Sequence, residues 1–239
     1  MSVFDAQTVC SLARQTAKCT GYTVQSGQLL NAILEDLAQT YDFDVIKRTF
    51  NFTLNSGGPS GSGPYPLPAD WYRGIDKDIF YVIDGVPYAM INIELNEYDR
   101  LVQTPGFASQ PTYYATDMSA SPPNMFVWPP SSGAYPVTAK YYPQSAVIAS
   151  PESSSSIPWF PNSLYLVTRL AGELRKITND KRWLQFLGDE NTPGSAEEML
   201  QKYLKMKDDR GGKAYTVQKD RRVYNSSIDR VKNTKTIGW

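Results

Sequence analysis

The sequence predicts an α+β protein: a discontinuous helical bundle with an inserted small antiparallel β domain and an extended C-terminal tail. Three observations predict it. Apolar residues recur at three- and four-residue spacing towards both ends of the chain, the period of helices with one buried face. Between these stretches, from Leu67 to Tyr142, run five aromatic-and-proline phrases: LPADWYRG, FYVIDGVPY, QPTYYATD, NMFVWPP and YPVTAKYY. Their short alternating runs and turn residues belong to strands. Beyond Arg210 the sequence turns basic and loses any sustained period. The expected division is residues 1–48 and 151–209 for the two parts of the helical domain, 49–150 for the β insert and 210–239 for the tail.

Along the chain, Asp5 caps a first helix over residues 6–18, with Val9, Leu12 and Ala13 facing inward and Thr20-Gly21 ending it. Ser26 caps a second helix, where Leu29, Leu30, Ile33, Leu34, Leu37, Ala38 and Tyr41 form one stripe. From Thr49 the period becomes two, with Phe50, Phe52 and Leu54 on one strand face. Residues 55–64, NSGGPSGSGP, are too rich in Gly and Ser for regular structure and read as a flexible loop. Asp84-Gly85 tolerates the positive φ angles of a type I′ turn and sits between IFYVI and VPYAMI, a strong hairpin signal.

Leu95, Tyr98 and Leu101 mark a short helix. Further strands fit residues 112–116, 125–128 and 136–142, with Ser131-Ser132-Gly133 as a turn. The prolines suit strand starts and edges. A Ser-rich linker over residues 150–158 leads back to helix at Pro161-Asn162-Ser163. There Leu164, Val167, Leu170, Ala171, Leu174 and Ile177 read as one apolar face, extended by Trp183, Phe186 and Leu187 after a break at Asn179-Asp180. Ser195 and Glu198 make a capping box for a last helix carrying Met199, Leu200, Tyr203 and Leu204, which Arg210-Gly211-Gly212 ends. No internal repeat is present.

Composition narrows the chemistry. Lysines and arginines equal the acids at 24 each, yet residues 210–239 hold eight bases against two acids, so the remainder carries −6. There is no histidine, which removes Ser-His and Cys-His catalysis, His-ligated zinc and the usual base near neutral pH. Cys10 and Cys19 would lie about 180° apart around a helix axis and read as two reduced thiols. No phosphate-cradling Gly-rich motif occurs. The carboxylate neighbours Glu35/Asp36 and Asp76/Asp78 are what 24 acids produce by chance, and solvated faces account for them. The expectation is no enzyme and no cofactor or metal. MSVFDAQTV lacks the features of a signal peptide, and no apolar stretch reaches bilayer length.

The LLNAILEDLAQ helix, the LPADWYR phrase, FYVIDGVPY, PTYYATD, VWPP leading into AKYY, and WFPNSLYLVTRLAGELRKITNDKRWLQF occur in an order and spacing that resembles the head-to-tail adaptor family of short-tailed bacteriophages. These are portal-bound proteins, also described as packaged-DNA stabilisation or tail accessory factors. The resemblance covers roughly residues 26–205, and the Gly-Ser stretch at 55–64 departs from it. It implies a homo-oligomeric ring of about twelve copies at the portal vertex of a virion. The ring would join the portal protein to a tail nozzle or tail tube protein and help retain packaged DNA. The DNA would pass through the lumen without sequence-specific contact, and no membrane would be involved.

Two segments carry competing readings. In the tail, Tyr215, Val217, Val223, Tyr224, Ile228 and Trp239 are apolar anchors and Arg221 and Arg222 ion-pair partners for a segment that orders on the portal, adding as a strand. The bland alternative is a solvated basic tail, and a third is direct phosphate contact. In the β insert, Trp71, Phe80, Tyr81, Tyr113, Trp128 and Tyr141 read as the core of a small sandwich. The alternative is a carbohydrate- or host-surface-binding module, which needs exposed, coplanar aromatics.

Overall fold

The computed structural model describes residues 4–57, 59–103, 107–188 and 191–211. The chain is α+β and divides into two compact units: residues 1–45 with 145–239, and residues 46–144.

The first unit holds helices α1 (Ala6–Ala17), α2 (Thr23–Thr40), α4 (Ser163–Ile177), α5 (Trp183–Leu187) and α6 (Ala196–Gly211). Asp5 caps α1, its Oδ1 accepting from the Thr8 amide at 2.8 Å. Two further free amides of the first turn find partners far along the chain. Ala6 N–H donates to the Ser156 carbonyl at 2.9 Å and Gln7 N–H to Ser154 at 3.0 Å. The Ser-rich stretch expected to be a linker is therefore part of the bundle, satisfying donors that a helix start leaves open. Its 3₁₀ turn at Pro151–Ser153 packs on both α1 and α2. Gly27 permits that approach, since a Cβ there would lie 2.3 Å from the Glu152 carboxylate.

Helix α2 begins at Thr23, three residues before the expected cap. Ser26 is buried inside the helix and turns its hydroxyl back to the Thr23 carbonyl at 2.6 Å. Of the expected inward residues, Leu12 and Leu29 are only half-buried, while Cys10 joins the α1 core. Cys10 and Cys19 are both free thiols, and burial pushes the Cys10 thiol up to about 11.

Helix α4 is not one-faced. Tyr165, Leu166, Val167, Thr168, Leu170, Ala171 and Leu174 are all buried, because α1, α2, α5 and α6 each pack on it. Leu164 and Ile177, expected on the apolar face, lie at its ends and are 58% and 53% exposed. At its C-terminal end, buried Arg175 donates to the Thr16 carbonyl of α1 at 3.1 Å and to Asp180 at 2.9 Å. Its guanidinium also lies 4.8 Å from the Phe186 ring centre, so one side chain ties α1, α4 and α5. Hydrogen bonds from Arg182, with the charges of Arg182 and Arg175, hold the Asp180 carboxyl at about 2.

In the second unit two four-stranded sheets share one core. One has the order β1 (Arg48–Thr53), β8 (Pro136–Pro143), β3 (Trp71–Ile83), β4 (Val86–Ala89). The other has the order β2 (Tyr65–Pro66), β7 (Asn124–Trp128), β6 (Tyr113–Asp117), β5 (Ile91–Asn92). Pairing is antiparallel except between β5 and β6, which run parallel and so depart from the all-antiparallel expectation. The short helix α3 (Leu95–Val102) separates those two strands in sequence, and a connection through a helix is what parallel neighbours require.

Alternation on β8 sends Val137, Ala139 and Tyr141 inward, against Ile79 and Tyr81 of β3 and Met125 and Val127 of β7. Trp71, fully buried, stacks on Tyr141 with centroids 4.6 Å apart. The hairpin turns at Asp84 and Gly85, with φ of 49° and 81°, the two left-handed positions of a type I′ turn.

The Gly-Ser stretch is more ordered than its composition suggests. It forms a 3₁₀ turn at Pro59–Ser62 and bonds to the 131–133 turn: Gly57 N–H to the Ser131 carbonyl at 2.7 Å, and Ser131 N–H to Gly61 at 3.0 Å. Gly61 is needed because a Cβ there would sit 2.8 Å from the Ser131 carbonyl.

Two outcomes follow from these contacts. Trp71→Ala should cost about 3–5 kcal/mol in urea unfolding, by removing the largest core side chain and its stack. Asp180→Asn should flatten the acid limb of the stability profile. The native carboxyl at about 2 lies below its ordinary 3.8, so its contribution is complete above that ordinary value and fades as pH falls from about 4 towards 2. Thermal melts between pH 5 and 2 check this, and an unchanged acid limb in the variant would contradict it.

Candidate functional site

The eight tail residues read as partner contacts, Tyr215, Val217, Arg221, Arg222, Val223, Tyr224, Ile228 and Trp239, lie outside the described residues. Within the described residues, the first unit carries an apolar groove of about 420 Å³ where the start of α4 meets the outer side of α6.

Its geometry is set by two helix caps. Asn162 Oδ1 accepts from the Tyr165 amide at 3.1 Å and starts α4. Ser163, in the first turn, accepts the Phe4 amide at 3.0 Å and so fixes the incoming N-terminal segment beside it. Ser195 Oγ accepts from the Glu198 amide at 3.2 Å and starts α6. Glu198 completes the cap by accepting from Gly194 N–H at 2.7 Å, one residue earlier than in the expected box. Lys202 bonds the other oxygen of Glu198, also at 2.7 Å, and these two contacts hold that carboxyl below the usual range.

On α6, Ala196, Leu200 and Leu204 face the core, while Met199, Tyr203 and Met206 face the groove. The floor is aromatic. Tyr203 lies 5.2 Å from Phe160 and 6.1 Å from Phe43, and Phe160 lies 5.4 Å from Phe43 and 5.1 Å from Tyr165. Burial pushes the hydroxyls of Tyr203 and Tyr165 above the normal tyrosine range, Asp44 adding to the first and Arg169 opposing the second. Leu164 and Met206 stand on the exposed rim.

This arrangement is suited to apolar contact with a partner surface. Apolar carbon and thioether dominate the lining, and its one cation, Lys202, is paired. The carboxylate neighbours are separately engaged: Glu35 accepts from Gln39, Asp36 faces Arg169 and Asp78 faces Lys140. Among the described residues no three acidic or thiol side chains gather as a metal cluster, and no helix is long and apolar enough to cross a membrane. In the β unit, Trp71, Tyr81 and Tyr141 are buried and Phe80, Tyr113 and Trp128 half-buried. None of these six rings is exposed, so they do not together make the broad aromatic platform that a sugar-binding face would need.

The groove was only partly visible in the sequence. Met199, Leu200, Tyr203 and Leu204 make α6 apolar over a wider arc than one helical contact uses. That excess width was the signal, and Leu164, assigned to the core by spacing alone, belonged with it.

No curated protein matches the chain. The family model of the SU10 adaptor protein matches residues 5–230, taking in both units and most of the basic segment. The chain belongs to the SU10 adaptor protein family, the structural adaptors of phage virions.

Proposed function

We propose that the chain is the head-to-tail adaptor of a short-tailed phage, a ring of about twelve copies beneath the portal vertex. The ring joins the portal protein above to a tail nozzle or tail tube protein below and helps to retain packaged DNA. The observation that carries this reading is the family match across residues 5–230. Its work is non-covalent, in keeping with a chain that has no histidine and whose described groove is apolar.

The tail is the portal-binding element in this reading. Tyr215, Val217, Val223, Tyr224, Ile228 and Trp239 supply apolar anchors, with Arg221 and Arg222 as ion-pair partners. Residues 210–239 carry a net +6 and the rest of the chain −6. An acidic body suits a lumen through which DNA slides, since like charge keeps the phosphates off the wall. Segments that order only on a partner take their entropy cost at that moment, so the free protein is a monomer that assembles on the portal as template.

Purified portal mixed with the full chain should yield a complex of about twelve adaptors per portal ring by light scattering. A chain lacking residues 212–239 should keep its helical circular dichroism and melting temperature yet fail to bind. Undiminished binding by the truncated chain would overturn the tail assignment, and a stable ring formed at micromolar concentration without portal would overturn templated assembly.

A further inference from the structure

We propose that the end of the helical unit where α1 and α4 both stop is a contact site for the phosphate backbone of duplex DNA, made by Lys18, Lys176 and Lys181. The two helices run parallel. Phe4 meets Ser163 at their starts and Arg175 meets the Thr16 carbonyl near their ends, each pair 159 residues apart in sequence. Their last turns, the bend after α1 and the turn before α5 therefore lie together at one pole of the bundle. Over residues 14–25 and 175–185, six cations stand against a single carboxylate, Asp180. These two segments carry +5, so the other residues up to 209 carry −11. An otherwise acidic body has one basic end.

Helix ends account for only a small part of this charge. The open carbonyls of a helix C-terminus amount to about half a negative charge, so two helices call for about one cation rather than five. Lys181 and Arg182 also lie beyond the end of α4. The surplus is exposed: Lys18, Lys176 and Lys181 all face solvent, and none has an ion-pair partner among the described residues. Lys176 stands 5.7 Å from the centre of the Trp183 ring, which attracts its ammonium without neutralising it.

Side-chain type then selects phosphate over a protein carboxylate. The guanidiniums, which fork onto carboxylates, are already engaged. Arg14 donates to the Thr20 carbonyl at 3.3 Å and to the Thr23 hydroxyl at 2.6 Å. Arg175 is held by Thr16 and Asp180, and Arg182 by both oxygens of Asp180. The three cations left over are lysines, mobile point charges that suit phosphate oxygens. Lysine is depleted from protein–protein interfaces, whereas DNA-binding surfaces are strongly positive. Packed helices stand about 8–10 Å apart, which spans about three phosphates of one strand at roughly 3.4 Å of rise each. Such a contact touches no base edge and is blind to sequence.

The consequence rests on the adaptor reading: a wall that is acidic throughout lets DNA slide but has no means of holding it, and the basic pole supplies the hold. The acidic remainder confines the duplex to that pole. The binding itself does not depend on that reading and is measured on the full-length free chain, without portal. Fluorescence anisotropy of a labelled duplex should show binding that weakens with salt and is equal for two unrelated sequences. Lys18→Gln, Lys176→Gln and Lys181→Gln should each reduce the slope of log K against log salt by about 0.9. Together they should weaken binding about tenfold or more at low salt, with the helical circular dichroism unchanged.

Residues 210–239 are basic as well, so Arg221→Gln with Arg222→Gln is the comparison, and the effect of the three lysines should persist in that background. Binding that depends on the two arginines and not on the three lysines assigns the phosphate contact to the tail and overturns the proposal. Poly-glutamate that displaces the labelled duplex as well as unlabelled duplex does, at equal charge, assigns the pole to an acidic protein and also overturns it. So does the absence of binding at low salt. Portal binding by the triple lysine variant, measured in the same preparations, reports on the adaptor reading alone.

Discussion

Helix α4 has almost no side that water can reach, and much of the helical unit follows from that. A helix buried at eight of its ten positions between Tyr165 and Leu174 needs neighbours around most of its circumference. The C-terminal segment supplies α5 and α6, and the N-terminal segment must supply α1 and α2. Residues before 45 and after 145 are therefore obliged to meet, whatever lies between them in sequence. An insert can satisfy this only if its own ends lie close together. The β unit does so through its longest-range pairing, β1 against β8, with Arg48 opposite Tyr141. The antiparallel ladder returns the chain beside the point where it entered.

The same obligation explains why polar segments behave as structure here. A helix start leaves backbone donors open, and in α1 only one of them has a side-chain cap. The carbonyls of Ser154 and Ser156 take two more. The side-chain amide of Asn31 makes a matching pair with the backbone of Ile148, donating at 3.0 Å and accepting at 3.1 Å. Serine and glycine give up side-chain bulk, and what they gain is close backbone approach. Gly27 beneath Glu152 and Gly61 beside Ser131 are two of the places where that approach leaves no room for a Cβ.

Features whose cause is local were legible in the sequence. The Asp5 cap, the stripe from Leu30 to Ala38, the Asp84-Gly85 hairpin and the alternation on β8 each depend on residues within a few positions of one another. Features whose cause is a distant partner were not. Composition made residues 55–64 and 150–158 look like loop and linker, because their hydrogen-bond partners are up to about 150 residues away and leave no periodic mark. Leu164 and Ile177 fell on the right helical spacing, yet a spacing says nothing about where the neighbouring helices stop. The groove was half-legible for the same reason: the excess apolar width of α6 could be counted, but not the side of α4 it would meet.

An adaptor has to expose apolar surface to its partners without joining them prematurely. Scattered single residues do this at no cost, and Phe107 at 93%, Val147 at 79% and Ile157 at 64% exposure are of that kind. The α4–α6 groove is different, because Phe4, Pro161, Leu164, Met199, Tyr203 and Met206 converge on one concavity. Convergent apolar surface is what drives association in water.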